Sequence, residues 1–119
     1  MNERSPSSRA LPHHRLHAYH VALELLGLVR EAQVLDFKLR DQALRAAKSV
    51  CLNVAEAAGR TSAADRARVF GIARGEALEV AAALEIASVA GDVDAGVTLR
   101  AAPVVDRLYA LLTGLARPR

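Results

Sequence analysis

All four histidines of the chain stand close together near its N-terminus, at His13, His14, His17 and His20. If a helix begins early enough to include them, His13, His17 and His20 share one face, and three imidazoles at this spacing can hold Zn²⁺ or Ni²⁺. No carboxylate or cysteine stands among them, which favours an exposed, polar start of a helix. We therefore predict no metal site and no cofactor, with adventitious metal binding as the alternative.

A second candidate group consists of basic residues in the middle of the chain: Arg45, Lys48, Arg60, Arg66, Arg68 and Arg74. Residues 38–74 contain eight basic and three acidic side chains, whereas residues 75–106 contain one basic and six acidic ones. On one surface, the six basic residues can bind the phosphate backbone of RNA or DNA. Base-specific recognition is not predicted, because aromatic stacking partners are missing. The alternative is that the basic and acidic segments pair with each other, within the bundle or between subunits.

Two further pairs of residues indicate packing rather than catalysis. Asn53 and Glu56 lie within an apolar run, so we expect a buried polar pair in which Arg60 or Arg74 bonds to Glu56. A single carboxylate without an activated nucleophile or a metal shell is a poor catalytic site, and we predict that the protein is not an enzyme. Gly71 and Gly75 stand four residues apart in a helical pattern. Because each costs a helix about 1 kcal/mol relative to alanine, they predict a close approach by another helix.

The composition indicates that helices position these residues. Of the 119 residues, 52% are hydrophobic and 3% are aromatic, so the core consists mainly of Ala, Leu and Val, which favour helical bundles over sheets. The length fits one domain. The formal net charge is +3, and 14 of the 16 basic residues are arginine. Arginine favours planar contacts with phosphate or carboxylate, but a GC-rich genome produces the same bias.

Apolar periodicity and capping residues predict four helices. The helices extend from Leu16 to about Leu35, from the turn at Asp36 to Gly59, from a cap at Thr61 or Ser62 to Gly91, and from Asp92 or Asp94 towards residue 115. We expect the last helix to restart at Pro103, because an interior proline removes a backbone hydrogen bond. Short connections between helices predict an antiparallel, up-down-up-down four-helix bundle.

The same pattern divides the chain into three segments. Residues 1–14 are rich in Ser and Pro and are predicted to be a disordered arm, residues 15–116 form the bundle, and residues 117–119 form a basic tail. The only cysteine, Cys51, stands between apolar residues and is expected to be a buried, inert thiol. The sequence has no apolar signal core and no apolar run long enough for a membrane span, so we expect a cytoplasmic protein that binds no membrane.

The run from Ser49 to Arg60 resembles the S-I-x-x-N-I-A-E-G-x-G-R signature of the 23S rRNA intervening-sequence protein family. Phe70 and the segment 72–79 are similar to that family's F-L-x-I-A-x-G-S-L-x-E pattern, and residues 16–25 resemble its first helix. The chain departs from the patterns in having Ala57 for glycine and Ala77 for serine, and in lacking D-L before the first helix. The resemblance implies a bacterial four-helix bundle that assembles into a ring, typically a homopentamer, without enzymatic activity.

The Avd accessory protein of diversity-generating retroelements is a distant relative of that family, and it binds a reverse transcriptase and nucleic acid through a basic surface. The resemblance thus implies self-assembly and, as partners, RNA, DNA or a nucleic-acid-processing protein. We predict a non-enzymatic oligomeric scaffold that binds nucleic acid or a ribonucleoprotein through its arginine-rich surface. The alternative is a pure protein-interaction module whose arginines form salt bridges between subunits.

Overall fold

A computed structural model describes residues 10–117 of the chain. In this part the protein consists of a 3₁₀ helix, Pro12–Arg15, and four α-helices: α1 (His17–Ala32), α2 (Phe37–Ala58), α3 (Ala63–Ala90) and α4 (Ala95–Leu115). The described residues contain no strand, which confirms the all-α class and the number of long helices. Residues 1–9 of the predicted arm and residues 118–119 of the predicted tail lie outside the described residues.

The four α-helices surround one hydrophobic core. Both α1 and α3 pack against α2 and against α4, and the contact between α2 and α3 is the most extensive. Leu25, Leu84, Leu108 and Leu112 are the largest fully buried side chains, and each stabilises the fold by about 1.5 to 3 kcal/mol. Cys51 is also buried, as predicted. On α3 an inner stripe of apolar residues is buried: Phe70, Ala73, Ala77, Val80, Leu84 and Ala87. These contacts are those of a helical bundle.

Local capping chemistry sets the ends of the helices. The side chains of Asp36, Ser62 and Asp94 accept hydrogen bonds from backbone N–H groups in the first turns of α2, α3 and α4, at 2.9, 3.0 and 3.3 Å. Such caps typically contribute about 1 kcal/mol each. Gly91 ends α3 in the left-handed conformation, with φ of 78°, as its type and position predict. Gly59 ends α2 at φ of −90°, a conformation that does not require glycine.

Two sequence predictions about helix boundaries are wrong. Helix α1 ends at Ala32 rather than near Leu35, because Gln33 adopts the left-handed conformation and stops it. Helix α4 does not restart at Pro103 but continues through it. Proline has no N–H group, so the carbonyl of Leu99 loses its helical partner at Pro103. Both residues lie on the exposed side of α4, and water can therefore hydrate that carbonyl.

The side of α1 that faces the core is apolar. Ala18, Val21, Leu25 and Val29 are buried, whereas Tyr19 lies at the edge of the core.

No helix among residues 10–117 is long and apolar enough to cross a membrane.

Candidate functional site

His13 does not share a helix face with His17 and His20. Leu16 is extended and separates the 3₁₀ helix from α1, so α1 does not begin early enough to align His13 with His17. The ring of His13 packs against those of His14 and Tyr19, at centroid distances of 4.2 and 4.6 Å. Between residues 10 and 117, no three His, Cys, Asp or Glu side chains are grouped so that they could hold a metal ion. His13, His14 and His20 therefore form a small aromatic cluster around Tyr19 at the start of α1.

The six basic residues predicted to form one surface lie in three places. Arg45 and Lys48 are exposed near the middle of α2. Arg60, Arg66 and Arg68 surround the connection between α2 and α3, and Arg74 contacts α4. Arg45 lies about 20 Å from the end of α2 at Ala58, beyond which Arg60 follows, at about 1.5 Å of helix rise per residue. A nucleic-acid surface built from all six would thus have to extend over most of α2 and around α3.

At the connection between α2 and α3, arginines and carboxylates pair within the chain. Arg60 forms ion pairs with Glu56 and, at 3.2 Å, with Asp65. Arg68 pairs with the other oxygen of Asp65 at 2.9 Å. The hydrogen bond from Arg68, with the charge of Arg60, lowers the pKa of Asp65. The hydrogen bond to Glu56 raises the pKa of Arg60. Most of the positive charge at this end is thereby balanced locally.

Arg60 is one of the two partners predicted for Glu56, and the structure confirms it. The predicted burial is wrong: the Glu56 side chain is 52% exposed, because it lies on the outer side of α2. Arg66 extends along the same connection and donates to the carbonyl oxygens of Arg60 and Thr61, at 2.9 and 3.1 Å. It therefore caps backbone groups that would otherwise lack a partner among the described residues.

Arg74 connects α3 to α4 and not to Glu56. Its Nε donates to Thr113 Oγ1 at 2.9 Å, and its Nη2 donates to the Tyr109 hydroxyl. The guanidinium also lies over the Tyr109 ring, 4.4 Å from the centroid, in a cation–π contact. Sequence reasoning missed this site, since nothing in the periodicity of α3 indicates which residues of α4 oppose it.

A chain of polar side chains joins α2 to α3 in the middle of the bundle. Asn53 Nδ2 donates to Ser49 Oγ, which donates to Glu76 Oε2, both at 3.0 Å. Glu76 in turn shares a hydrogen bond with Glu79, which raises the pKa of Glu79, while the charge of Arg45 opposes that shift. The hydrogen-bond partner of Asn53 is thus Ser49, which connects it to Glu76, and neither of these residues was expected from the sequence.

The side of α3 that faces away from the core is apolar over most of its length. We call it the outer face of α3, and it consists of Gly71, Gly75, Leu78, Ala82, Ile86 and Val89. Leu78 is 48% exposed and Val89 is 91% exposed. A Cβ atom added at Gly71 or Gly75 would meet nothing within 4 Å. The close approach that the two glycines predicted does not occur within the described chain, so these positions are open to another molecule.

A second exposed apolar surface lies between α1 and α2. This α1–α2 groove, with a volume of about 560 Å³, is lined by Leu23, Leu26, Gly27, Arg30, Glu31, Leu44 and Lys48. Leu23 is 41% exposed, and a Cβ atom added at Gly27 would meet nothing within 4 Å. The groove thus has an apolar floor and a charged rim.

Two comparisons with known proteins bear on this arrangement. A family model described as 23S rRNA-intervening sequence protein matches residues 16–114, a range that includes parts of all four α-helices. A search of curated proteins returned no match. The matched range contains the polar chain, the outer face of α3 and the α1–α2 groove.

Proposed function

The chain belongs to the 23S rRNA-intervening sequence protein family, and from that premise we propose that it is a non-enzymatic helical scaffold that acts by assembling with copies of itself. The connections between successive helices are short, 33–36, 59–62 and 91–94, and they support an antiparallel, up-down-up-down order. We further propose that the assembly is a closed ring, with five subunits as the family resemblance implies.

The observation that carries this proposal is the outer face of α3. A soluble helix at the surface of a bundle normally has one apolar and one polar side, and a helix that is apolar on both sides is normally buried. Helix α3 buries its inner stripe, yet Leu78, Ile86 and Val89 remain 48%, 55% and 91% exposed. Covering such a surface stabilises an assembly by about 25 cal/mol per Å² of apolar area. Contiguous exposed apolar area of this kind marks a protein-interaction site.

Light scattering coupled to size-exclusion chromatography tests the proposal. The wild type should have a mass several times that of the 12.7 kDa chain, and Leu78→Arg should reduce it to one chain. Leu99→Arg is the matched control, because Leu99 is also an exposed leucine, 76% exposed, but lies on α4. Circular dichroism should show unchanged helix content in both variants. A wild type that is monomeric at micromolar concentration contradicts the proposal.

Nucleic-acid binding is a second candidate function, favoured by one observation. Arg66 and Arg117 line the same cavity of about 220 Å³ between the start of α3 and the end of α4. With Arg60 and Arg68 nearby, four cations meet two carboxylates at this end of the bundle. In an assembly of similarly oriented subunits, this excess of positive charge would be repeated and could contact phosphate groups. With such a partner, we propose that the protein acts in the cytoplasm.

Filter binding with single- and double-stranded probes distinguishes this candidate from a pure protein-interaction module. Each phosphate contact should lower log affinity by about 0.7 to 0.9 per unit of log salt. Replacing Arg66 and Arg68 by Ala should weaken binding of all sequences alike, because phosphate contacts do not read bases. Arg100→Ala, an exposed arginine on α4, is the control. If neither probe is retained at low salt, the protein-interaction module, whose arginines form salt bridges between subunits, is favoured.

A further inference from the structure

We infer that the outer face of α3 docks into the α1–α2 groove of a second copy of the chain, in a head-to-tail contact. This inference rests on the proposed self-assembly and names its two surfaces. The occupant of each surface is therefore another molecule of the same protein.

The two surfaces fit each other in apolar character. The outer face of α3 presents Leu78 and Ile86, and the floor of the groove presents Leu23, Leu26 and Leu44. Both surfaces also contain glycine. At Gly27 in the groove and Gly75 on α3, no neighbour lies within 4 Å of an added Cβ. Two helices that meet at such positions can bring their backbones close together.

The charges around the two surfaces are complementary. Glu79 and Glu85 flank the outer face of α3 and are exposed. The groove carries Arg30 on α1 and Lys48 on α2, and Glu31 is its one acidic residue. Neither Arg30 nor Lys48 forms an ion pair with another described residue. Docking would place a carboxylate-flanked ridge in a groove with an excess of positive charge, which favours the correct pairing of surfaces.

The same charges disfavour a symmetric contact between two α3 helices. Such a contact would place Glu79 and Glu85 of one copy beside the same residues of the other, and like charges at an interface are repulsive. The pKa of Glu79 is already raised by its hydrogen bond with Glu76 in a single chain. The negative charge of Glu76 also raises this pKa. The carboxylates of a second α3 helix would add to this repulsion between like charges, whereas Lys48 of a neighbour would reduce it.

The positions of the surfaces allow one copy to use both at once. Helix α2 lies between α1 and α3, and among the described residues α1 and α3 make no direct helix–helix contact. The outer face of α3 and the α1–α2 groove therefore lie on different sides of the bundle. Contacts between two different surfaces generate rings when the rotation closes and filaments when it does not.

Complementation between two assembly-defective variants tests the inference. Leu78→Arg blocks the outer face of α3 and leaves the groove intact, whereas Leu23→Arg blocks the groove and leaves α3 intact. Each variant alone should have the 12.7 kDa mass of one chain. An equimolar mixture at high protein concentration should give a one-to-one complex of twice that mass, because one intact pair of surfaces remains. Leu78→Arg mixed with the Leu23→Arg/Leu78→Arg double variant is the control and should give no complex.

A charge-reversal pair provides a test that does not depend on the leucine variants. Lys48→Glu should raise the apparent dissociation constant of the assembly about tenfold, and Glu79→Lys in the same chain should restore most of that loss. If the wild type is monomeric, the proposed self-assembly itself is wrong. If the wild type assembles, but the mixture stays at the mass of one chain and Glu79→Lys gives no rescue, only the head-to-tail pairing is overturned.

Discussion

The outward side chains of α3 differ between the two halves of the helix: several are paired in the first half, and several are apolar and exposed in the second. In the first half, Asp65 and Arg68 pair with each other, and Arg74 is held by side chains of α4. In the second half, Leu78 and Val89 are largely exposed, although the inner stripe is buried along the whole helix. The two halves thus differ on the outside of the helix rather than in the core.

This difference bears on the proposed self-assembly. A charged side chain that is paired within its own chain gains little from a further contact, since surface ion pairs contribute about 0 to 1 kcal/mol. An exposed aliphatic side chain gains free energy whenever a partner covers it. The contacts missing from the second half of α3 are therefore better evidence for function than the contacts present in the first half.

The largest expected effect is the loss of assembly in Gly75→Leu. No described residue lies within 4 Å of an added Cβ at Gly75, so the single chain should tolerate leucine. Its helix propensity should even stabilise the single chain by up to about 1 kcal/mol. In a tight contact between subunits, overpacking should cost about 1 to 3 kcal/mol per interface. Light scattering should show a lower mass while thermal unfolding shows no loss of stability.

Gly114→Leu is the control for that experiment, because Gly114 is an exposed glycine of α4 with the same empty surroundings. Equal masses for Gly75→Leu, Gly114→Leu and the wild type would show that the outer face of α3 is not an interface. A drop in mass for both glycine variants would show that the end of α4 also lies in an interface.

The next largest effect is expected in the first half, from Arg74→Ala. This change removes the hydrogen bonds to Thr113 and Tyr109 and the cation–π contact. We expect it to lower the free energy of unfolding by about 1 to 3 kcal/mol without preventing assembly. Urea denaturation measures the loss, with Arg100→Ala as an exposed control that should change it by less than about 0.5 kcal/mol. Equal losses in the two variants would mean that Arg74 does not connect α3 to α4 in solution.

A smaller effect should distinguish the two halves of α3 by how their side chains make the free energy of unfolding depend on pH. The pKa of Glu79 is raised by its hydrogen bond with Glu76. The stability from this pair is therefore present below the pKa of Glu79 in the unfolded chain and is lost as pH rises through the raised pKa. In the Leu23→Arg background, which blocks the groove and isolates the single chain, Glu79→Gln should reduce that loss. Denaturation curves recorded between about pH 3 and pH 7 test it, and identical pH profiles would refute it.

The smallest effect is expected from Asp65→Asn. The stabilisation by Asp65 depends on pH in the opposite direction to that of Glu79. Arg68 lowers the pKa of Asp65, so its stabilisation is present above the unfolded pKa and is lost as pH falls through the lowered pKa. In the same background, the variant should be slightly less stable than its parent at neutral pH and equally stable in strong acid. A difference that persists below about pH 2 would show that the ion pairs of Asp65 are not its cause.

Local features of the sequence predicted the fold well. Ser62 and Gly91 delimit α3 because capping depends on side chains within one turn of the helix end. The effect of Pro103 depended on which side of α4 faces water, and this orientation is set by packing rather than by the neighbouring residues.

The candidate surfaces were less predictable. The partner of Arg74 lies on a helix distant in sequence, and the spacing of Gly71 and Gly75 gives no information on whether the approaching helix belongs to the same chain. The six basic residues are grouped in the sequence, but the helices that carry them separate them in space. The sequence therefore indicated which residue types matter, and the packing of the helices determined which of them are exposed.

Cys51 gives this protein an internal probe of its own motions. It is the only cysteine of the chain, it is buried in α2, and burial raises the pKa of its thiol. A thiol reagent can therefore modify it only when α2 moves away from the core, so the labelling rate measures how often this opening occurs. Comparing labelling rates of dilute and concentrated protein would show, without an introduced label, whether neighbouring subunits slow the opening of α2.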